Sequence, residues 1–149
     1  MELEIFSDEY FMREALKEAQ KAFDEGEVPV GAVVVANNRI IGRGHNQVET
    51  LTDSTAHAEM IAITSAFNYL ASKVLEECTL YVTLEPCTMC GGAIFWSRPS
   101  RLVFGASDPK RGFSVYNANI LHPKTEVSLG VLKEESERLL KEFFARLRE

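Results

Sequence analysis

From residue 57 onward, helical and strand-like patterns take turns along the chain, and that alternation limits the fold more than any other feature. His57 to Leu70 repeats apolar residues at helical spacing, through Met60, Ile61, Ile63, Ala66 and Phe67. Thr79 to Leu84 (TLYVTL) is a short apolar strand, and Pro86 opens a helix running to about Trp96, since proline fits a first helical turn. Arg101 to Gly105 is another strand, and Glu134 to Arg148 closes with an amphipathic helix whose buried stripe is expected to be Leu139, Leu140, Phe143, Phe144 and Leu147. Upstream, Ser7 to Glu25 reads as a helix, with Ser7 as its cap, Asp8 and Glu9 in its first turn and Gly26 as its stop. Val30 to Ala36 and Arg39 to Gly44 flank Asn37-Asn38, a pair suited to the left-handed residues of a tight hairpin turn. Ala106 to Val127, broken by Pro109, Gly112 and Pro123, is predicted to be irregular. A hairpin followed by alternating helices and strands implies α/β architecture, a mixed sheet covered by helices.

A chain of 149 residues suits one domain, Met1 to Glu149. Its 46% hydrophobic content excludes wholesale disorder. No run approaches the roughly 18 apolar residues of a membrane helix, so no membrane partner is expected. The start, MELEIFSDEY, lacks the basic and apolar regions of a signal peptide. Three cysteines are too few for a disulfide framework, which points to the cytoplasm.

A net charge of -6 at first argues against nucleic acid, but it is unevenly spread. Residues 1–97 carry 6 basic and 15 acidic side chains, and residues 98–149 carry 10 and 7. Arg98, Arg101, Lys110 and Arg111 fall in one short segment and form a candidate basic patch.

His57-Ala58-Glu59 and Pro86-Cys87-Thr88-Met89-Cys90 carry the chemistry. Cysteines three apart share a helix face, and a helix N-terminus favours their thiolates. With His57 they make three ligands suited to one zinc ion. Cys78, His45 and His122 are the alternatives for a fourth. Cys78 reads as a buried core thiol and His122, between Leu121 and Pro123, as a surface or packing residue, whereas His45 at the end of the hairpin could point anywhere. Three ligands leave a position for water, as catalytic zinc sites do. Glu59 stands two residues from His57, close to such a site without being a ligand.

This H-x-E followed by P-C-x-x-C resembles the zinc-dependent nucleoside and base deaminases. The resemblance extends along nearly the whole chain to the bacterial tRNA-specific adenosine deaminase family. It is carried by VPVGAVV at 28–34, Gly44-His45-Asn46, Thr55-Ala56-His57-Ala58-Glu59, LYVTLEPCTMC at 80–90, Val103 to Asp108, and the closing Phe143-Phe144 helix. It implies a cytidine-deaminase-like three-layer α/β/α sandwich with a mixed five-stranded sheet, one zinc per subunit and a homodimer. It also implies deamination of adenosine to inosine at the wobble position, in a tRNA anticodon stem-loop. Hydroxide supplied at zinc would attack purine C6, with Glu59 moving protons to N1 and to the departing ammonia.

For substrate contacts, the resemblance implies the Asn46 side chain and the Ala58 backbone, with Val30, Leu84 and Glu85 lining the pocket. Asp108 is expected to accept a hydrogen bond from a ribose 2′-OH, and Lys110 and Arg111 to meet phosphates. Two departures stand out: Ser54, where the family usually has proline, and Phe113 to Asn117, where it has small residues. Phe95, Trp96 and Tyr116 are core or interface residues, with the core as the expectation. The alternatives are a deaminase of free guanine, cytosine or cytidine using the same metal site, and a non-catalytic zinc-stabilised binding module.

Overall fold

The computed structural model describes residues 6–149; the first five residues of the acidic start lie outside them. Ser7 caps the first helix, α1 (Asp8–Asp24), accepting a hydrogen bond from the Tyr10 N–H at 3.1 Å. The hairpin of β1 (Gly31–Ala36) and β2 (Arg39–His45) turns on Asn37 and Asn38, whose φ of 50° and 60° suit the right-handed twist of the strands. There follow α2 (Val48–Leu51), α3 (Ala58–Leu70), β3 (Cys78–Leu84), α4 (Thr88–Ser97), β4 (Arg101–Ala106), α5 (Phe113–Tyr116), β5 (Glu126–Leu129) and α6 (Lys133–Leu147).

The strands form one mixed sheet in the order β2-β1-β3-β4-β5. β1 is antiparallel to both β2 and β3, whereas β3, β4 and β5 run parallel. Alternate residues of β1 face opposite layers, as strand geometry requires. Ala32 and Val34 join Leu80, Val82, Leu102 and Phe104 in a core with α3 and α4. Val33 and Val35 join Tyr81 and Val103 against Phe11, Met12 and Ala15 of α1. Helices on both faces make the three-layer α/β/α sandwich expected from the sequence. Among the described residues, no helix is long and apolar enough to cross a membrane.

Glycines set how closely two helices approach. A Cβ on Gly42 would overlap the Ala62 carbonyl, and one on Gly44 the Ala58 carbonyl, so α3 lies directly on β2. At the opposite end of the sheet from the cleft described below, the Arg101 guanidinium donates to both Asp8 carboxylate oxygens at 2.7 Å, and Tyr81 donates to the same group at 2.8 Å. This ties the start of α1 to the start of β4.

Four expectations are corrected. The 106–127 stretch holds α5 and the beginning of β5, elements of four residues each, too short to show a period. The stripe on α6 is narrower than expected: Phe143 is buried against Phe23, whereas Phe144 is exposed and Leu147 is 64% exposed. Trp96 (72% exposed) and Tyr116 lie at the surface, with only Phe95 half-buried. Lastly, the basic patch does not exist as one patch. Arg98 and Arg101 stand where β4 begins, Lys110 and Arg111 beyond its end, separated by a strand about 20 Å long.

Candidate active site

Parallel strands send their carboxyl ends to one edge of the sheet, where the following loops converge. Here β3 ends at Leu84 and β4 at Ala106, and at the same edge the antiparallel β1 begins after Val30 and β2 ends before Asn46. A cleft of about 590 Å³ opens there. Of the residues singled out in the sequence, Val30, Asn46, His57, Ala58, Glu59, Leu84, Glu85, Cys87, Asp108 and Arg111 line it. Lys110 is exposed and does not.

His57 and Cys87 are the N-caps of α3 and α4, both with extended backbone, so two helix N-termini point at one spot. Pro86 therefore precedes the cap of α4 and does not form its first turn. Cys90, one turn into α4, is buried. His57 Nδ1 lies 3.6 Å from Cys87 Sγ and 3.5 Å from Cys90 Sγ. A tetrahedral zinc with Zn–N near 2.05 Å and Zn–S near 2.3 Å holds such atoms about 3.6 Å apart, so the residues present fit this ion. Among the described residues, this trio is the one group of metal-donor side chains gathered closely enough to hold an ion. Cys78 is buried at the far end of β3, His45 faces Glu18 and Glu25, and the His122 ring packs against Phe95. None of the three supplies a fourth ligand.

The electrostatics match a cation site. The Cys90 thiol and the nearby His57 hold Cys87 down at about 4, and in return the Cys87 thiolate pushes Cys90 up. His57 is raised, chiefly by its contact with Cys87. A divalent cation bound by these groups would take the place of the shared protons, with both sulfurs as thiolates. Glu59, 4% exposed in the first turn of α3, is pushed up to about 7 by burial, a value at which a carboxyl both gives and takes a proton at neutral pH.

Several predicted contacts are partly committed within the protein. The Asn46 amide donates to the Val28 carbonyl (3.2 Å), and its oxygen accepts from the Val48 N–H (3.4 Å). One Asp108 oxygen accepts from the Lys110 and Arg111 N–H groups, both at 3.0 Å. Glu85 carries three hydrogen bonds from the 108–114 segment. Sequence reasoning missed Glu27, Val48, Glu49, Phe143 and Leu147, which also line the cleft. Glu27 and the α2 pair left no periodic signal, while the α6 residues were read as core. In the sequence Glu27 is one more acid after Asp24 and Glu25, with nothing local to set it apart.

Comparison with known proteins bears on this geometry. Residues 6–106 match the cytidine and deoxycytidylate deaminase zinc-binding region. The chain is 51% identical over 146 residues to a tRNA-specific adenosine deaminase of Bacillus subtilis, covering 95% of this chain and 91% of that protein. It is 48% identical over 145 residues to the one of Aquifex aeolicus, covering 94% and 95%. A solved structure from studies of A-to-I editing by tRNA:A34 deaminases at the wobble position superposes with a TM-score of 0.82 at 42% identity, over 88% of this chain and 99% of that one. A guanine deaminase from Nitrosomonas europaea superposes at 0.84 with 26% identity, over 93% and 85%. Metal trio, buried glutamate, sheet order and sequence thus agree, and the chain belongs to the zinc-binding cytidine and deoxycytidylate deaminase family, among its tRNA-specific adenosine deaminases.

Proposed function

We propose that the chain, acting as one deaminase domain, converts adenosine to inosine at the wobble position of a tRNA anticodon stem-loop. The observation that carries this reading is the convergence of the His57, Cys87 and Cys90 trio with buried Glu59 in a cleft rimmed by Asp108 and Arg111. The substrate class rests on the relatives named tRNA-specific adenosine deaminases.

His57, Cys87 and Cys90 would hold a zinc ion, which when bound would supply hydroxide at neutral pH by lowering the pKa of water from 15.7 to about 7. Glu59 takes a proton from the attacking water and delivers it to purine N1, which makes C6 electrophilic. A second proton passes through Glu59 to the amine leaving C6 as ammonia, so that adenosine and water become inosine and ammonia. Val30 and Leu84 wall the base, the Ala58 backbone and Asn46 orient the nucleoside, and burial keeps bulk solvent from the Glu59 carboxyl. Asp108 keeps one carboxylate oxygen for a ribose 2′-OH, and Arg111 faces phosphate at the rim, with Lys110 further out. The enzyme works as a cytoplasmic homodimer; exposed Trp96 on α4 and Val115 and Tyr116 on α5 are apolar surface of the kind that a subunit interface covers.

The test is incubation of the zinc-loaded protein with a stem-loop bearing adenosine at the wobble position, sequenced for inosine. Ammonia release from guanine, cytosine, cytidine and adenosine is measured in parallel. Inosine in the RNA is expected, and Glu59→Gln should keep one zinc per chain and lose at least about a hundredfold in rate. Ammonia from a free base without inosine in RNA would overturn the reading.

A further inference from the structure

Two buried carboxylates stand on opposite walls of the cleft and make the same three bonds. Glu27, 1% exposed, accepts from the Glu49 N–H at 3.1 Å through one oxygen. Its other oxygen accepts from the Thr50 N–H (2.6 Å) and the Thr50 hydroxyl (2.7 Å). Glu85, 4% exposed, accepts from the Asp108 N–H at 3.1 Å through one oxygen. Its other oxygen accepts from the Ser114 N–H (3.0 Å) and the Ser114 hydroxyl (2.6 Å). Glu27, in the connection between α1 and β1, thus reaches α2, and Glu85, just after β3, reaches the loop after β4 and α5, each 22 to 29 residues away and each through one plain amide and one hydroxyl residue that donates twice.

Bonds to a carboxylate acceptor are short and strong, and here they take up three of the roughly four acceptor sites of each group. What they fix is backbone. The Glu27 bonds hold α2, whose Val48 and Glu49 line the cleft and whose Val48 N–H meets Asn46. The Glu85 bonds hold the segment with Asp108 and Arg111, which is also sewn to the metal-ligand loop by the Phe113 N–H donating to the Pro86 carbonyl (2.8 Å) and by a bridge between Cys87 and Gly112. Gly112 leaves room for this arrangement, because a Cβ there would fall on the Glu85 carboxylate.

We infer that Glu27 and Glu85 are paired positioning residues, which hold the two walls of the cleft at the separation an extruded nucleotide requires. Glu27 sets the wall that orients the nucleoside, and Glu85 sets the wall that meets the RNA backbone. The division of labour rests on the function proposed above; the two clamps themselves do not.

Glu27→Gln and Glu85→Gln each replace one acceptor oxygen with an NH₂ group that faces N–H donors. The experiment measures zinc content, amide hydrogen exchange, and kcat and KM with the wobble-adenosine stem-loop. In Glu27→Gln, exchange should quicken at Glu49 and Thr50 only, with kcat lowered about tenfold, the effect of one buried bond left unmade. In Glu85→Gln, it should quicken at Asp108 and Ser114 only, with KM raised by a similar factor and kcat held. Thr50→Ala and Ser114→Ala should show the same pattern more weakly and guard against misfolded glutamate variants. Thr50→Ser and Ser114→Thr, which keep the hydroxyls, should restore the parent values. Unchanged exchange at these amides would overturn the clamps whatever the enzyme's substrate. Equal losses in both variants, tracking zinc content or global stability, would overturn the positioning role. Absence of inosine with the parent protein counts against the function and leaves the exchange result standing.

Discussion

Arg101 and Arg111 belong to one basic segment of the sequence, yet they do different things. Arg101 gives its guanidinium to Asp8 and to the Ser128 hydroxyl, and its contact with Asp8 holds that carboxylate below the usual range. Arg111 stands on the cleft rim, exposed. A guanidinium already bonded to a carboxylate displaces none of the counterions condensed on RNA, whereas one that meets a phosphate does. Arg111→Ala should therefore weaken stem-loop binding and flatten its log–log salt dependence by about 0.7, the single-strand value for one phosphate. Arg101→Ala should leave that slope alone and cost about 1 kcal/mol of stability, since the pair is partly screened by solvent. Binding titrations across a salt series check the first, and denaturant melts the second. Equal slopes in both variants would remove Arg111 from the RNA contact.

Elements place the chemistry by how closely they pack. Helix α3 carries His57 at its cap and Glu59 in its first turn, and it rests on Gly42 and Gly44 of β2. Gly44 meets the end of α3 nearest the metal trio, because its missing Cβ makes space for the Ala58 carbonyl. Gly44→Ala should therefore push the first turn outward, costing about 1–3 kcal/mol as overpacking does, and should lower activity out of proportion to the loss of fold. Gly42→Ala, one turn further from the site, should cost similar stability with a smaller loss of activity. Melts and initial rates on the two variants separate these effects, and equal activity losses would refute the argument. The same packing shows what the sequence could disclose. Helical periods, the Asn37-Asn38 turn and the metal trio were legible because each is a local pattern. The glycines of β2 were visible as residues, but the helix they admit is distant in sequence. The four-residue α2, α5 and β5 carry no period, and Glu27 announces itself only through partners more than twenty residues away.

Across the whole molecule, acidic side chains outnumber basic ones, and several are tied into the fold. Asp8 and Glu14 are held below ordinary carboxylate values, first by bonds from Arg101 and Arg43 respectively. Burial pushes Glu18 and Glu27 upward, but Lys21, His45 and Arg43 around Glu18, and the Thr50 and Glu49 donors around Glu27, outweigh it and leave both lowered. Unfolded carboxyls titrate near 3.9–4.3, so the unfolded chain takes up protons first as the solution is acidified. The stabilisation is therefore complete above about pH 5 and is lost as pH falls below about 4, through the folded values. The gap in melting temperature between the parent and Asp8→Asn should be steady at neutral pH and should close below about pH 4; a gap that stays constant to pH 3 would contradict it.

The two ends of the sheet also differ in how the enzyme can be handled. The last turn of α6 reaches the cleft through Phe143 and Leu147, while the first turn of α1 is anchored to Arg101 at the remote end. A bead, surface or fused partner joined beyond α6 would stand beside the cleft. The same attachment ahead of α1 would leave the cleft facing open solution, which makes the amino-terminal side the practical handle for immobilising a working catalyst.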